Sequence, residues 1–262
     1  MKIVVCVKQV PSSHNVRIDP ETKRLKREEV EAEINPFDTY ALEQGVLIKE
    51  SLGGEVIALT MGPNRAEQSL REAIACGADK AIHLHDRAFA GSDTWATSYT
   101  LSKAIEKIGD VDLVICGKQA IDGDTAQVGP GIAGHLGLPQ ATYVSEVKET
   151  DEKSITVKRM HEEGYDIAEL PFPALITVVK DINSPRIPSL RGRMAAKKAE
   201  ITQWTAEDLG ADGGKLGTHG SPTKVVKTEP APGREKETLV IEGEPEKQAR
   251  DLVHQLRARS LA

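Results

Sequence analysis

DLVICGKQAIDGDTAQVGPG, residues 112–131, decides the fold. Its opening DLVIC is a short apolar run. A long, glycine-bearing, acidic loop comes next and feeds a helix. Such a run, apolar throughout rather than alternating, is how a strand buried on both faces of a parallel sheet reads. Outward from it, equivalent runs occur at 2–7 (KIVVCV), 55–60 (EVIALT) and 80–84 (KAIHL). The stretches between them space apolar residues by three and four, as helices do. A helix over about 36–51 starts with Asn35 as cap, Pro36 in its first position and Asp38 in its positive first turn, and ends at Gly53-Gly54. A second, about 64–76, ends at Gly77; a third, about 94–108, is capped by Asp93; a fourth begins at Asp124 or Thr125. Strands alternating with helices predict an α/β fold with a mostly parallel sheet covered on both faces.

Beyond residue 140 the texture changes. Residues 142–148 and 153–160 read as a β-hairpin, and 174–179 (ALITVV) as a last buried strand. RIPSLRGRMAAKKAEI (186–201) is basic through Arg186, Arg191, Arg193, Lys197 and Lys198. From about 205 the chain is rich in Gly, Pro, Lys and Glu, with weak helical spacing returning at 245–258. An arm this polar buries little of itself and is expected to lie on another surface, its own domain or, by preference, a partner. The division expected is a domain over 1–200 and an arm over 201–262.

Composition narrows the class. The formal net charge is −6 and aromatic residues are 3% of the chain, which offers neither the field nor the stacking platform of a nucleic-acid binder. No apolar run approaches the roughly 18 residues of a membrane span, so no membrane insertion is expected. KIVVCVK begins almost at once, without a basic segment and cleavage site, so no secretory leader is read. Cys6, Cys76 and Cys116 form neither a disulfide framework nor zinc spacing; each is read as a buried core thiol in a reducing cytoplasm.

Open parallel sheets bind ligands beyond the carboxyl ends of their strands, at a topological switch point. Two readings of the loop 117–131 stay open. Its helix start offers N–H groups to a phosphate, with Asp122 or Asp124 accepting from ribose hydroxyls; or Asp122-Gly123-Asp124 simply turns the chain and caps the helix. Gly129, Gly131 and Gly134 match G-x-G-x-x-G on paper, but lie inside the expected helix rather than in the turn after the strand. The D-x-D at 122–124 lacks a calcium loop's glycine and final glutamate. His83 and His85 share one strand face without a third ligand and are read as structural, so no metal site is expected. No catalytic triad is legible.

GKQAIDGDTAQVGPGIAGHLGLPQ (117–140) closely resembles the nucleotide-binding segment of electron-transfer flavoprotein beta subunits. CVKQVP (6–11), INPFDTYALEQG (34–45), MGP (61–63) and the stretch from DINSPR through AAKKAEI (181–201) resemble the family in the same order. The resemblance implies a Rossmann-like sheet of the adenine nucleotide alpha hydrolase type. It also implies a heterodimer with an alpha subunit that carries a redox FAD, and electron exchange with a dehydrogenase. By position, the family's nucleotide contacts fall on Cys6; on Asn35, Pro36, Phe37 and Asp38; on Met61; and on the run Gly117, Lys118, Gln119, Ala120, Ile121, Asp122, Gly123, Asp124, Thr125, Ala126, Gln127 and Val128. Several relatives hold a hydroxyl residue where this chain has Val128, leaving the backbone N–H for that contact. The family's recognition loop corresponds to 178–200, with its apolar anchor on Leu190 and Arg191 and Arg193 beside it.

The family divides by what the beta subunit holds: structural AMP, or a second FAD that accepts hydride from NADH and splits the electron pair. DRAFAGSDTWATS (86–98) resembles the second, electron-bifurcating branch, with Gly91 giving clearance and Thr94 and Thr97 bonding a flavin edge. FAD is the expectation and AMP the alternative. An N-capped amphipathic helix explains Asp93, Thr94 and Thr97 equally well. A universal-stress-type nucleotide-binding protein is the alternative of another class; its late glycine-rich phosphate loop is not found in the sequence.

Overall fold

A computed structural model describes residues 1–12, 32–226 and 238–261. Strand β1 (Lys2–Cys6) is central, with Ile3, Val4 and Val5 fully buried. β2 (Gln9–Pro11) and β3 (Ala32–Ile34) form a small antiparallel pair. Helix α1 (Pro36–Leu52) starts on the proline, whose missing N–H would have no helical partner anyway. It stops at Gly53, φ +78°. The chain continues through β4 (Glu55–Met61), α2 (Glu67–Ala75), β5 (Lys80–Leu84) and α3 (Thr94–Ile108). Next come β6 (Leu113–Gly117), α4 (Val128–Leu136), β7 (Gln140–Thr150), β8 (Ser154–His161) and β9 (Gly164–Pro171). β10 (Ala174–Val178), α5 (Leu190–Lys198) and β11 (Thr202–Trp204) complete the strands and longer helices of this part.

The nine-stranded sheet runs β11-β5-β4-β1-β6-β10-β7-β8-β9. It is parallel from β11 to β7 and antiparallel through β8 and β9. The chain builds outward from β1 to β4 and β5, then crosses back to lay β6 on the other side of β1. The switch point is therefore between β1 and β6. Because alternate strand residues face opposite ways, two cores form. Ile3, Val5, Ile115 and Ile176 pack with Leu42, Leu70 and Ala196 of α1, α2 and α5. Val4, Leu59, Val114 and Leu175 pack with Leu101 and Ile132 of α3 and α4 and with Leu209 and Leu216.

Besides the small β2–β3 pair, which the sequence reading does not contain, four features differ from that reading. The hairpin has a third strand, β9, whose polar YDIAEL carries little strand signal. β11 extends the parallel sheet at its other edge. α4 begins at Val128 rather than at Asp124 or Thr125, because Asp124 and Ala126 have φ of +50° and +54°, which no helix admits. And the first part of the expected arm is not free: one compact unit spans Met1–Lys224, with Leu209 and Leu216 in its core. The second unit, Val225–Ala262, carries a helix over Pro245–Ala258 that starts on its proline. None of that helix is buried, and Leu252 and Val253 are 50% and 45% exposed. Residues 227–237 of the expected arm lie outside the described residues. Among the described residues, no helix is long and apolar enough to cross a membrane.

Candidate functional site

Every residue expected to contact a nucleotide lies at a carboxyl end of a parallel strand, in the connection beyond it or in the first turns of the helix that follows. Cys6 ends β1, Met61 ends β4, and Gly117 ends β6. Asn35 to Asp38 open α1, Thr94 and Thr97 open α3 after β5, and the loop 118–127 leads into α4. The switch point thus gathers Cys6 and Gly117 on the two strands that flank it.

Asn35 and Asp38 organise this edge. The Asn35 amide donates to Asp38 Oδ1 (2.9 Å) and to the Gln119 carbonyl (2.8 Å), and its Oδ1 accepts from the Ile121 N–H (3.1 Å). Asn35 therefore works through the loop after β6 rather than as the side-chain cap of α1. Asp38 Oδ2 accepts from the Lys8 N–H at 2.8 Å. Burial pushes the Asp38 carboxyl up to about 7, although hydrogen bonds from Asn35, Lys8 and Gly117 pull it down. Gly117 is required here: a Cβ would overlap Asp38 Oδ1 and stand 2.7 Å from the Phe37 backbone.

The loop itself is braced at both acids. Lys8 Nζ pairs with Asp122 Oδ1 at 2.7 Å, and Gln119 Nε2 donates to Asp124 Oδ1 at 2.7 Å. Its last residues change hand: Ala126 has φ +54°, and Gln127 has φ −104°, ψ −23°. Such an alternation turns successive backbone N–H groups toward one point, an anion-binding nest. Among the described residues, the N–H groups of Thr125, Ala126 and Gln127 have no protein partner, and those of Val128 and Gly129 are in the open first turn of α4. The local fold thus presents a set of free donors, the chemistry a phosphate group needs. Gly129 and Gly131 have another task. A Cβ on them would stand 2.6 Å from Thr177 Cγ2 and Ser98 Oγ, so they let α4 pack closely on β10 and α3. Two of the three glycines in the paper match to a dinucleotide fingerprint thus serve packing, and a Cβ on Gly134 would meet nothing within 4 Å.

The start of α3 adjoins this loop. Thr94 Oγ1 donates to Gln127 Oε1 at 2.9 Å. Asp93 caps the helix, accepting from the Trp95 and Ala96 N–H groups at 3.0 and 3.1 Å. Thr97 is half-buried in the first turn. Gly91, φ +74°, faces Thr218, whose methyl carbon would be 2.5 Å from a Cβ; its clearance admits this chain's own segment 217–223.

Two residues of this edge, Lys8 and Tyr143, were missed in the sequence. Lys8 braces both Asp38 and Asp122, and only its place just past a strand end hinted at it. Lys118 Nζ lies 5.2 Å from the Phe37 ring and 5.4 Å from the Tyr143 ring. Tyr143 is held at φ +59° with its N–H on Thr177 Oγ1, a conformation with no sequence signal. Cys6 and Cys116 are buried as expected, but Cys76 is partly exposed beside the Arg186 carbonyl, because α2 ends there. His83 and His85 both turn a ring nitrogen to the Gly62 carbonyl, at 3.0 and 3.1 Å.

Leu190, Arg191 and Arg193 lie apart from the nucleotide candidates. They open α5, which is capped by Ser189 and packs on α2 where Gly192 meets the Ala75 carbonyl. Leu190 is 78% exposed, with Ile187 and Met194 also exposed beside it. Arg186 anchors the approach: its guanidinium pairs with Glu43 at 2.8 Å and Glu50 at 2.7 Å, and its N–H also reaches Glu43.

The electron transfer flavoprotein domain model matches residues 22–209. The electron transfer flavoprotein subunit beta of Thermoanaerobacterium thermosaccharolyticum is 50% identical over 260 residues, 99% of each chain. The caffeyl-CoA reductase-Etf complex subunit CarD of Acetobacterium woodii is 49% identical, covering 89% of each chain. Protein FixA of Azorhizobium caulinodans is 47% identical, covering 92% of this chain and 88% of its own. A sheet of this topology, candidate contacts gathered at its switch point and identity over nearly the whole chain agree: the chain belongs to the electron transfer flavoprotein family, as a beta subunit.

Proposed function

We propose that this subunit, paired with an alpha subunit, holds FAD along the carboxyl edge of its sheet and works in NADH-dependent electron bifurcation. The observation that carries the reading is the 2.9 Å bond between Thr94 and Gln127. It joins the start of α3 to the donor-rich loop before α4, so that groups suited to a phosphate and groups suited to a flavin edge adjoin one another. The free N–H groups of Thr125 to Gln127 suit a phosphate, and Asp122 and Asp124 suit ribose hydroxyls. Thr94 and Thr97 would meet the flavin end. FAD held there would supply the hydride and electron-transfer chemistry, and this chain would supply position and hydrogen bonds. The likeness to a subunit of a caffeyl-CoA reductase-Etf complex supports the same reading. A dehydrogenase partner docks at Leu190, steered by Arg191 and Arg193. Denaturing the purified heterodimer should release two FAD per pair and no AMP. One FAD and one AMP would overturn bifurcation and leave the family intact.

A further inference from the structure

Residues 217–223 lie against the 88–93 turn more closely than a surface loop requires. Gly217, φ +51°, leaves no room for a Cβ beneath the Ala88 carbonyl, and Thr218 fills the space in front of Gly91. Asp93 then ties the segment down through three bonds. Its N–H donates to Ser221 Oγ at 2.8 Å, and its Oδ2 accepts from both the N–H (3.0 Å) and the hydroxyl (2.8 Å) of Thr223. Ser221 Oγ in turn donates to the Gly217 carbonyl at 2.6 Å, closing the segment on itself. The other oxygen of the same carboxylate caps α3, and the next residue, Thr94, reaches Gln127. A continuous run of bonds thus joins Thr223 to the loop before α4.

We propose that this segment is a strap that positions the start of α3, with Asp93, Ser221 and Thr223 as positioning residues for the flavin end of the nucleotide. This rests on the reading of the site as one for FAD. Among the described residues, the hydrogen bonds of Ser221 and Thr223 reach Gly91 and Asp93 before α3 and none reaches the phosphate loop. Its loss therefore loosens the part of the ligand beyond the pyrophosphate and spares the AMP part, which Asn35, Asp38 and the loop 117–127 hold by themselves. The first compact unit ends at Lys224, one residue past Thr223, so the strap is also the last stretch of chain before the second unit begins.

The test uses the full alpha/beta heterodimer carrying Ser221→Ala with Thr223→Val, and separately Thr223→Ser. Each is stripped of nucleotide and titrated with FAD and with AMP, and the midpoint potential of the beta flavin is recorded. The double variant should bind FAD about tenfold more weakly, the scale of one lost hydrogen bond to a charged group. AMP affinity should be unchanged and the potential should shift, whereas Thr223→Ser, which keeps the hydroxyl, should match the wild type in both. Unchanged FAD affinity, or equal weakening toward FAD and AMP, overturns the strap. A wild-type heterodimer whose beta subunit takes AMP and refuses FAD overturns the flavin reading itself and takes the strap's role with it.

Discussion

Asp38 shows how much one residue at the switch point constrains. It is 6% exposed, yet it accepts from Asn35 and Lys8 and so ties α1 to the loop after β6 and to the end of β1. Its carboxyl titrates near 7 in the folded chain against an ordinary 3.8, burial being the dominant cause. Between those values the folded state holds a proton that the unfolded chain has released. This group therefore makes stability fall as pH rises from about 4 to about 7, and changes nothing further above that window. The full effect is on the order of 4 kcal/mol, from about 1.4 kcal/mol per unit. Asp38→Asn removes the slope. It should be less stable at pH 5, where an amide replaces a well-bonded acid, and should close on the wild type by pH 8. Urea unfolding of both proteins across this range checks it; parallel curves would mean that Asp38 is ionised throughout.

At the scale of elements, the segment proposed for docking depends on an ion pair set back from the surface it presents. Glu43, on α1, is 6% exposed and is satisfied by Arg186. Arg186→Met leaves that carboxylate buried without its partner and should cost about 3 kcal/mol. The loss should appear in urea unfolding and as earlier proteolysis between 180 and 190. Leu190→Ala is the complementary change: a side chain 78% exposed contributes little to the fold, so stability should hold while electron exchange with a dehydrogenase slows about tenfold or more. Unchanged stopped-flow rates would remove Leu190 from docking. The same elements show what sequence can carry. β1, β5, β6 and α3 were legible because apolar runs, an Asp93 cap and terminal glycines all agree locally. β9 and β11 were not, because an edge strand draws its order from its neighbour's hydrogen bonds rather than from its own side chains. The start of α4 was misread because two residues that are not glycine adopt positive φ, a choice imposed by the loop around them.

For the whole molecule, the division of the chain decides what is left to meet a partner. The candidate nucleotide residues were found by placing loops at strand ends and by resemblance; the strap was not, because Ser221 and Thr223 are more than 120 residues from Asp93 and carry no pattern of their own. The same blindness put residues 205–224 in one arm with the chain that follows them. In the structure Leu209 and Leu216, 8% and 2% exposed, belong to the core beside α3. Exposed apolar side chains also gather in the second unit, Val225–Ala262: Leu239, Val240, Leu252, Val253 and Leu261. None of the helix over 245–258 is buried, and we propose that these exposed apolar side chains meet the alpha subunit. Two truncations separate the roles. Ending the chain at 224 should leave a folded domain with an unchanged melting temperature that no longer copurifies with the alpha subunit. Ending it at 204 also strips two leucines from the core, and at about 2–3 kcal/mol each should lower the melting temperature by 10 °C or more on the order-of-magnitude scale for a domain of this size. Coexpression with the alpha subunit and an affinity pull-down read the first, calorimetry the second. A chain ending at 224 that still copurifies at native affinity places the heterodimer contact on the first unit.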